Sequence, residues 1–247
     1  MSSLRTRQEK FVLVDFDNLT KKQKQKGLYS VLYRITEWLA PFCDPKVPYL
    51  IHFRLYGGWY EHRRPTRRAQ DLLIEIAQKL SPTITIPLSG GSFFKASIRA
   101  DLAYSLGANP HKHLFSTFRH RKGLGHLNSK SPKSKDCTKQ FCPLDVVHQV
   151  IRNAACTESS CGKSVETYIS KAEQKLVDSM LVTDLLYYAC VRGEPTCLVS
   201  ADDDMWPGII TATALGGKVF HVKPKPSGDS HKFYAPMQAK NYEQFIM

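Results

Sequence analysis

The stretch FVLVDFDN, residues 11–18, joins a short apolar run to two carboxylates and an amide. A continuous apolar run bounded by polar residues predicts a buried strand of the kind found in parallel sheets. In open α/β sheets, ligands bind beyond the carboxyl ends of the strands. The stretch therefore predicts the first strand of an α/β domain, with Asp15 and Asp17 at the edge where a site forms.

Helical and extended patterns alternate in the chain after this stretch. Apolar residues recur at helical spacing in four segments, and short apolar runs separate those segments. Helices are predicted at about 28–39, 67–80, 172–191 and 209–215. Strands are predicted at 11–14, 50–56, 83–87, 165–169, 196–200 and 218–222. This alternation predicts a mostly parallel sheet with helices on both faces.

Several segments lack a strong pattern and are predicted to lie outside the core elements. Residues 21–26 are a charged connector, residues 98–106 form a weak helix within irregular sequence, and the residues after 222 form a tail. The irregular sequence at 89–164 is predicted to be an insertion within a single α/β domain that spans 1–247.

Positive charge dominates the chain and is concentrated in the insertion. The 247 residues include 35 Lys and Arg against 22 Asp and Glu, which gives a net charge of +13. Residues 111–140 contain eight of the basic residues and a single acid, Asp136. A surplus of this size predicts a polyanionic partner, and nucleic acid is the first candidate.

Membrane and secreted classes are not expected. No run of about 18 apolar residues occurs, so a membrane partner is not predicted. The residues before Asp15 include no long apolar segment of the secretory type. Seven cysteines is an odd number that fits poorly with a disulfide framework. The expected location is the cytoplasm, where thiols stay reduced.

Acidic residues gather at three places that the predicted sheet brings to one edge. Asp15 ends the first strand. Asp202 and Asp204 follow a later strand, and Asp178 lies in the helix before it. Converging carboxylates repel one another unless a cation lies among them, and oxygen ligands suit Mg²⁺ or Mn²⁺. Asp184 lies about 120° around the helix from Asp178 and is a weaker candidate.

A structural role is the alternative for each of these acids. An Asp at the end of a buried strand often forms a turn or caps a helix. At least one of Asp202, Asp203 and Asp204 is expected to cap the helix that follows.

Three strings, VLVDFDNL, KLVDSMLVTDLL and LVSADDDMWPGI, resemble in sequence and order the acidic motifs of NYN-type nucleases, a branch of the PIN-like superfamily. The resemblance covers residues 11–80 and 165–222, and it implies a PIN-like, Rossmannoid three-layer fold. It also implies divalent-metal-dependent hydrolysis of phosphodiester bonds, with RNA as the substrate. The residues that match the family's catalytic positions are Asp15, Asn18, Asp178, Asp202 and Asp204. The four aspartates match the positions that hold Mg²⁺ or Mn²⁺.

Two departures from the motifs keep other functions open. Leu176 and Ala201 replace glycines that are usual in the second and third motifs, so a nucleic-acid-binding module with a degenerate metal site is one alternative. A phosphatase of the haloacid dehalogenase class is another, because the segment 15–17 is similar to its nucleophile motif. That class has Thr or Val two positions after the second Asp, where this chain has Leu19.

Two cysteine pairs in the insertion suggest a structural zinc site. Cys137 and Cys142 form one pair and Cys156 and Cys161 the other, with 13 residues between the pairs. Four thiolates can close a tetrahedral zinc site and stabilise a loop that is too polar to fold alone. The spacing within each pair is longer than the common two-residue spacing, so four free thiols are an equal alternative.

The segment after the second predicted strand interleaves aromatic and basic residues. Such a segment can stack nucleobases and hold phosphates. Trp59 is predicted to stack on a base, and the alternative is that it covers the sheet edge. The basic residues predicted to bind nucleic acid are Arg63, Arg64, Arg67 and Arg68 in this segment and Arg119, Arg121 and Lys122 in the insertion.

Overall fold

The chain divides into two compact units. The computed structural model describes residues 7–88, 91–122, 142–156, 158, 160–165, 168–224 and 240–247. The larger unit comprises Met1–Thr117 with Gln174–Met247, and the smaller comprises Phe118–Glu173. Among the described residues, no helix has both the length and the apolar character needed to cross a membrane.

The bounds of the elements are as follows. The strands are β1 (Gln8–Asp15), β2 (Tyr49–Tyr56), β3 (Tyr60–Glu61), β4 (Arg64–Pro65), β5 (Thr83–Pro87), β6 (Phe93–Leu102), β7 (Ser105–Leu106), β8 (Asn109–His113), β9 (Phe118–Lys122), β10 (Ser170–Gln174), β11 (Thr196–Val199), β12 (Val219–Lys223) and β13 (Tyr242–Ile246). The α-helices are α1 (Lys21–Gln25), α2 (Leu28–Leu39), α3 (Arg67–Lys79), α4 (Pro143–Asn153), α5 (Val177–Leu186) and α6 (Trp206–Ala214). Single turns of other helix types occupy Ala40–Phe42, Tyr187–Val191 and Asp203–Met205.

Seven strands of the larger unit form one sheet in the order β13-β12-β11-β1-β2-β6-β5. Only β5 runs antiparallel to its neighbour, β6, and the other neighbouring strands are parallel. The prediction of an α/β fold with a mostly parallel sheet is therefore confirmed. β1 lies at the centre, where both of its faces are covered.

Two apolar layers cover the two faces of the sheet. Val12 and Val14 of β1 belong to the layer that α2 and α3 complete, whereas Phe11 and Leu13 belong to the layer of α5 and α6. Successive side chains of a strand point to opposite faces, so a continuous apolar run serves both layers. Helices thus cover both faces, as the sequence predicts.

The helix predicted at 98–106 is wrong, because this sequence contains part of a core strand. Phe94, Ala96 and Ile98 are buried, whereas Phe93 and Lys95 are exposed and Ser97 is half-buried. This period of two belongs to a strand, not to a helix. β6 pairs in parallel with β2 along its length.

The bounds of the predicted insertion, 89–164, also need correction. Because β6 belongs to the main sheet, the segment that separates as its own unit is Phe118–Glu173. The predicted tail after residue 222 contributes β13, which pairs in parallel with β12. Its aromatic residues explain the difference, since Tyr242 is buried and the ring of Phe245 lies 5.5 Å from that of Phe42.

The helix predicted at 172–191 begins later than expected. β10 extends to Gln174, and α5 begins only at Val177. Leu176 between them has a φ of 67°, which is incompatible with a right-handed helix. The described residues of the strand predicted at 165–169 precede β10 and lie in no strand.

The predicted connector at 21–26 contains the short helix α1. Thr20 is its N-cap and forms a capping box with Gln23, whose side chain accepts a hydrogen bond from the Thr20 backbone. A capping box can hold a short charged helix that has no buried residue of its own.

His221 of β12 links three strands in the interior of the larger unit. Its Nε2 lies 3.0 Å from the Ser200 carbonyl oxygen and its Nδ1 lies 3.0 Å from the Tyr242 hydroxyl. A carbonyl oxygen only accepts, so Nε2 carries the proton, and the Tyr242 hydroxyl has a single proton to share between Nδ1 and the Gln244 Oε1 atom 3.0 Å away. Burial lowers the pKa of His221 to about 4.

We expect this histidine to make the fold sensitive to acid. The folded state holds His221 neutral down to about pH 4, whereas the unfolded chain binds a proton near pH 6.5. Stability is therefore fully present above pH 6.5 and is lost as the pH falls from 6.5 towards 4. The free energy of unfolding of the wild type, relative to that of His221→Gln, should decrease by up to about 3 kcal/mol over this range.

Urea denaturation at several pH values measures this difference. His111→Gln is the matched control, because His111 is exposed in the same unit. Equal pH dependence of the wild type and His221→Gln would contradict the prediction.

Candidate active site at the carboxyl edge of the sheet

The acidic residues approach one another because their elements meet at one edge of the sheet. β1 and β11 are parallel neighbours with Val14 opposite Val199, so Asp15 and the residues after β11 lie at the same carboxyl edge. α5 places Asp178 in its first turn. These elements all belong to the larger unit.

Asp15 is buried, with 2% of its surface exposed. Its carboxylate accepts hydrogen bonds from the Asn18 backbone (3.2 Å), the Asn18 side-chain amide and the Ser200 hydroxyl (3.0 Å). Burial raises the pKa of Asp15 to about 6, although the Asn18 and Ser200 donors oppose this shift. The charged form of Asp15 is therefore only partly compensated by its neighbours.

Ser200 connects Asp15 to the acidic loop after β11. Its hydroxyl donates to Asp15 and accepts from the Asp202 backbone N–H at 3.1 Å, while its carbonyl accepts from His221. Sequence reasoning quoted Ser200 within the third motif but did not select it as a site residue. The signal in the sequence is its hydroxyl, which can donate to one neighbour and accept from another.

Asp178 lies within electrostatic range of the other acids. Burial raises its pKa, and the negative charges of Asp202, Asp204 and Asp17 raise it further. Asp202 accepts a hydrogen bond from the Asp204 backbone N–H at 3.0 Å and caps the turn at Asp203–Met205. One acid of this loop is therefore an N-cap, but of the short turn that leads into α6, whose own N-cap is Met205 without a side-chain hydrogen bond.

Asp184, the weaker candidate for a metal ligand, is already bonded to other residues of the protein. It is fully buried and accepts hydrogen bonds from the Tyr56 hydroxyl and the Gly107 backbone N–H, the latter at 2.7 Å. The guanidinium of Arg54 lies 3.3 Å from the same carboxylate. Asp184 therefore holds α5 against β2 and the segment after β6.

The chemistry of the acidic residues fits a hard divalent cation, although the arrangement is open. Among the described residues, no three His, Cys, Asp or Glu side chains form a group close enough to hold a metal ion. The charges of Asp202, Asp204 and Asp17 nevertheless add to the effect of burial in raising the pKa of Asp178, and a divalent cation would offset this repulsion. The side chains that could hold it are those of Asp15, Asp178, Asp202 and Asp204.

Asp17 differs from Asp15 in its contacts. Its side chain forms an ion pair with Arg68 and accepts hydrogen bonds from the Gln174 amide and from the Gly58 backbone N–H. Its carbonyl oxygen accepts from Lys24 Nζ at 2.9 Å. The sequence predicts neither contact. Gln174 lies 157 positions from Asp17 in the chain, and Lys24 contacts a backbone carbonyl, which every residue has.

The prediction that Trp59 stacks on a nucleobase is wrong. Trp59 is fully buried, and its indole N–H donates to the Leu55 carbonyl at 2.7 Å. The Thr117 hydroxyl accepts from the backbone N–H groups of Trp59 and Tyr60 at 3.0 Å each, and so fixes the segment. The indole packs over Gly57, where a Cβ would lie 2.8 Å from its ring atoms. Trp59 is thus a residue of the apolar core.

Three of the predicted arginines surround a surface cavity. Arg63, Arg64 and Arg67 line a cavity of about 770 Å³ together with Glu61 and the N-cap of α3. All three arginines are exposed. They form the basic surface of the larger unit in the segment that the sequence selected.

The remaining predicted residues belong to the smaller unit. Arg119 forms a salt bridge with Glu173 at 2.9 Å, and Lys122 is exposed. The side chain of Arg121 and the whole of Cys137 lie outside the described residues. Cys142 precedes α4 as its N-cap, and Cys156 and Cys161 lie in the segment after that helix. Zinc binding by these cysteines stays a prediction.

The backbone conformation of Leu176 explains why glycine is usual at this position of the second motif. Its φ of 67° lies in the left-handed region, which costs a residue with a Cβ about 1–2 kcal/mol. Its backbone carbonyl accepts from the Met180 N–H at 2.8 Å, so the turn begins α5 two residues before Asp178. The chain tolerates the leucine here at the expense of local strain.

Comparison with family models, with curated proteins and with solved structures finds no match to this chain. Its own residues and their geometry must therefore carry the assignment of function.

We expect Leu176→Gly to stabilise the protein. Glycine removes the left-handed strain, and the exposed leucine side chain contributes little packing. After the greater freedom of glycine in the unfolded chain is subtracted, the free energy of unfolding should rise by about 0.5–1 kcal/mol. Leu176→Ala, which keeps the strain, is the control and should show no gain in thermal or urea denaturation. A loss of stability in Leu176→Gly would contradict the assignment.

Proposed function

We propose that this chain is a divalent-metal-dependent nuclease that hydrolyses phosphodiester bonds, with RNA as its substrate. The observation that carries the proposal is that the end of β1, the loop after β11 and the first turn of α5 place their acids at one edge of the sheet. Burial and the charges of Asp202, Asp204 and Asp17 together raise the pKa of Asp178. A protein rarely keeps such a concentration of negative charge at a strand edge without a cation to bind.

The order of the motifs supports the same class of enzyme. Each of the three acidic strings that resemble NYN-type nucleases has at least one of its acids at this edge, in the larger unit. A PIN-like fold is therefore part of the proposal, as is the choice of RNA over single-stranded DNA. Both of these finer points rest on the resemblance.

The proposed roles follow from the contacts of each residue. Asp15, Asp178, Asp202 and Asp204 would hold Mg²⁺ or Mn²⁺. When bound, such an ion lowers the pKa of a coordinated water and offsets charge on the phosphodiester. Asn18 and Ser200 orient the Asp15 carboxylate by donating hydrogen bonds to it. With its pKa raised to about 6, Asp15 is mostly ionised at neutral pH and can serve as a ligand.

The basic surface would provide the initial attraction for nucleic acid. An acidic edge repels phosphates, and the net charge of +13 must therefore act from elsewhere on the protein. Arg63, Arg64 and Arg67 are exposed around one cavity and can neutralise phosphates through counterion release.

A nucleic-acid-binding module without cleavage activity is the second candidate. Two observations favour it: the described residues contain no ready group of three metal ligands, and Leu176 occupies a strained position in the second motif. A haloacid-dehalogenase-like phosphatase is less favoured, because Asp17, its second acid, is already paired with Arg68 and Gln174.

Replacement of Asp15 by Asn tests the nuclease directly. The variant keeps the shape of the side chain but removes one ligand charge, so we expect Mg²⁺- or Mn²⁺-dependent cleavage of single-stranded RNA to fall about 100-fold or more. Asp203→Asn makes the same charge change in the acidic loop at a position outside the proposed ligands and should retain activity. Full activity of Asp15→Asn would overturn the site, and binding without cleavage by the wild type would favour the second candidate.

Stability measurements on the same variant separate loss of function from loss of fold. The folded state raises the pKa of Asp15 from 3.8 to about 6, so its contribution to stability is present at low pH and is lost as the pH rises through this range. At pH 8 with EDTA, Asp15→Asn should therefore unfold with a free energy about 1–3 kcal/mol higher than the wild type. A lower value would mean that its hydrogen bonds with Asn18 and Ser200 outweigh the cost of burying its charge.

A further inference from the structure

We propose that Lys24 and Arg68 form a phosphate-contacting pair beside the acidic site, and that Asp17 is a positioning residue for this pair and not a metal ligand. The inference deepens the proposed nuclease function and rests on it. It assigns opposite roles to the two acids of the segment 15–17.

The contacts of Asp17 point towards the cations and not towards the acidic cluster. Its carboxylate pairs with Arg68 and accepts from the amide of Gln174 and the backbone N–H of Gly58, the latter at 3.3 Å. Three donors from three different segments converge on one side chain. A carboxylate with its oxygens occupied in this way is poorly placed to coordinate a metal ion, because coordination needs the same lone pairs.

Arg68 packs against two aromatic rings and also pairs with Asp17. Its guanidinium lies 5.0 Å from the ring centroid of Phe16 and 5.5 Å from that of Trp59, within the range of cation–π attraction. About 42% of the side chain remains exposed. A planar guanidinium has five N–H donors and can pair with a carboxylate and a phosphate together. The buried Trp59 therefore contributes to phosphate binding indirectly, because its ring supports the guanidinium of Arg68.

Lys24 approaches the same segment from α1. Its Nζ donates to the Asp17 carbonyl oxygen at 2.9 Å and lies 5.5 Å from the centroid of Phe16. The capping box of Thr20 and Gln23 fixes the helix that carries it. Burial lowers the pKa of Lys24, and the positive charge of Arg68 lowers it further. The two cations are thus close enough to repel one another, and an anion that contacts both would relieve this repulsion.

The position of the pair next to Asp15 identifies the anion. Lys24 interacts with the charges of both Asp15 and Asp17, so the pair borders the proposed catalytic edge. A phosphodiester group bound at that edge would bring its negative oxygens to these cations. Arg63, Arg64 and Arg67 differ from Arg68. They are exposed around a surface cavity, and no aromatic ring of the described residues lies within cation–π range of their guanidinium groups.

Binding of a fluorescein-labelled 12-nucleotide single-stranded RNA, measured by anisotropy in Ca²⁺ buffer, tests the pair without requiring cleavage. Lys24→Met and Arg68→Met should each weaken binding about tenfold, since each removes charge-assisted hydrogen bonds to phosphate in a partly desolvated position. Lys22→Met and Lys79→Met are matched controls on the same two helices and should weaken binding at most about threefold, because both side chains are exposed. Equal effects in the variants and their controls, or no RNA binding by the wild type, would overturn the pair.

The role of Asp17 is tested with Asp17→Asn and with the double variant Asp17→Asn/Arg68→Met. A positioning residue predicts that Asp17→Asn weakens RNA binding as Arg68→Met does, that the double variant is no weaker than Arg68→Met alone, and that the Mg²⁺ concentration for half-maximal cleavage is unchanged. A higher Mg²⁺ requirement in Asp17→Asn but not in Arg68→Met would make Asp17 a metal ligand and overturn this assignment.

Thermal denaturation of each variant identifies any that fails to fold, and Lys24→Met, whose side chain is half-exposed, then decides the inference alone. The outcome for the nuclease is separate. If the wild type binds RNA through Lys24 and Arg68 but never cleaves it with Mg²⁺ or Mn²⁺, the pair stands and the proposed hydrolysis fails.

Discussion

Burial of the Asp15 carboxylate at the end of β1 is the constraint on which the acidic edge depends. The central strand of a covered sheet ends in the interior, so a side chain at its last position leaves water. Two neighbours compensate in part, since Asn18 and Ser200 donate hydrogen bonds to the carboxylate. The compensation is incomplete, because the pKa of Asp15 still lies at about 6. An uncompensated buried charge at the edge of a parallel sheet is more readily explained by a bound cation than by stability.

The compensation extends through the sheet to a second buried residue. Ser200 can donate to Asp15 only while its backbone is fixed, and the neutral ring of His221 holds the carbonyl of the same residue. His221 is in turn in contact with Tyr242 of β13. The strand β13, which has no acid of the site, therefore helps to position Asp15 through three hydrogen-bond contacts that pass by way of His221 and Ser200. Protonation of His221 would therefore disturb the series of hydrogen bonds that links Tyr242 to Asp15.

Local patterns in the sequence predicted the parts of the structure that depend on local physics. The apolar run before Asp15 predicted β1, and the spacing of Leu28, Val31, Leu32 and Ile35 predicted α2, because burial on one or both faces fixes those periods. A cap formed by one of the three acids after β11 was predicted on a different local ground, the preference of aspartate for N-cap positions, and Asp202 caps the turn Asp203–Met205. The strand β6 was missed, since its alternating residues lie among polar ones and its partners in β2 are 47 positions away in the chain, as Tyr49 is from Ala96.

The contacts that distinguish one site residue from another depend on distant partners, and no local pattern reveals them. Trp59 reads as a surface aromatic between basic residues, but Thr117 and the Leu55 carbonyl hold it in the core. Gln174 contacts Asp17 across 157 positions of the chain. The motif resemblance selected Asp15 and Asp178 because it compares positions, and it could not report what each side chain touches.

The two acids of the segment 15–17 show how the same residue type acquires different chemistry two positions apart. Asp15 ends a buried strand and meets only neutral donors, so its charge is poorly compensated and available to a cation. Asp17 leaves the strand and meets Arg68 and Lys24, so its charge and its carbonyl dipole hold two cations in place. A site that must attract a metal ion and a phosphate needs both signs of charge within a short distance. In the proposed site, the partly compensated charge of Asp15 would attract the metal, and the paired charge of Asp17 would keep the positive groups near enough to attract the phosphate.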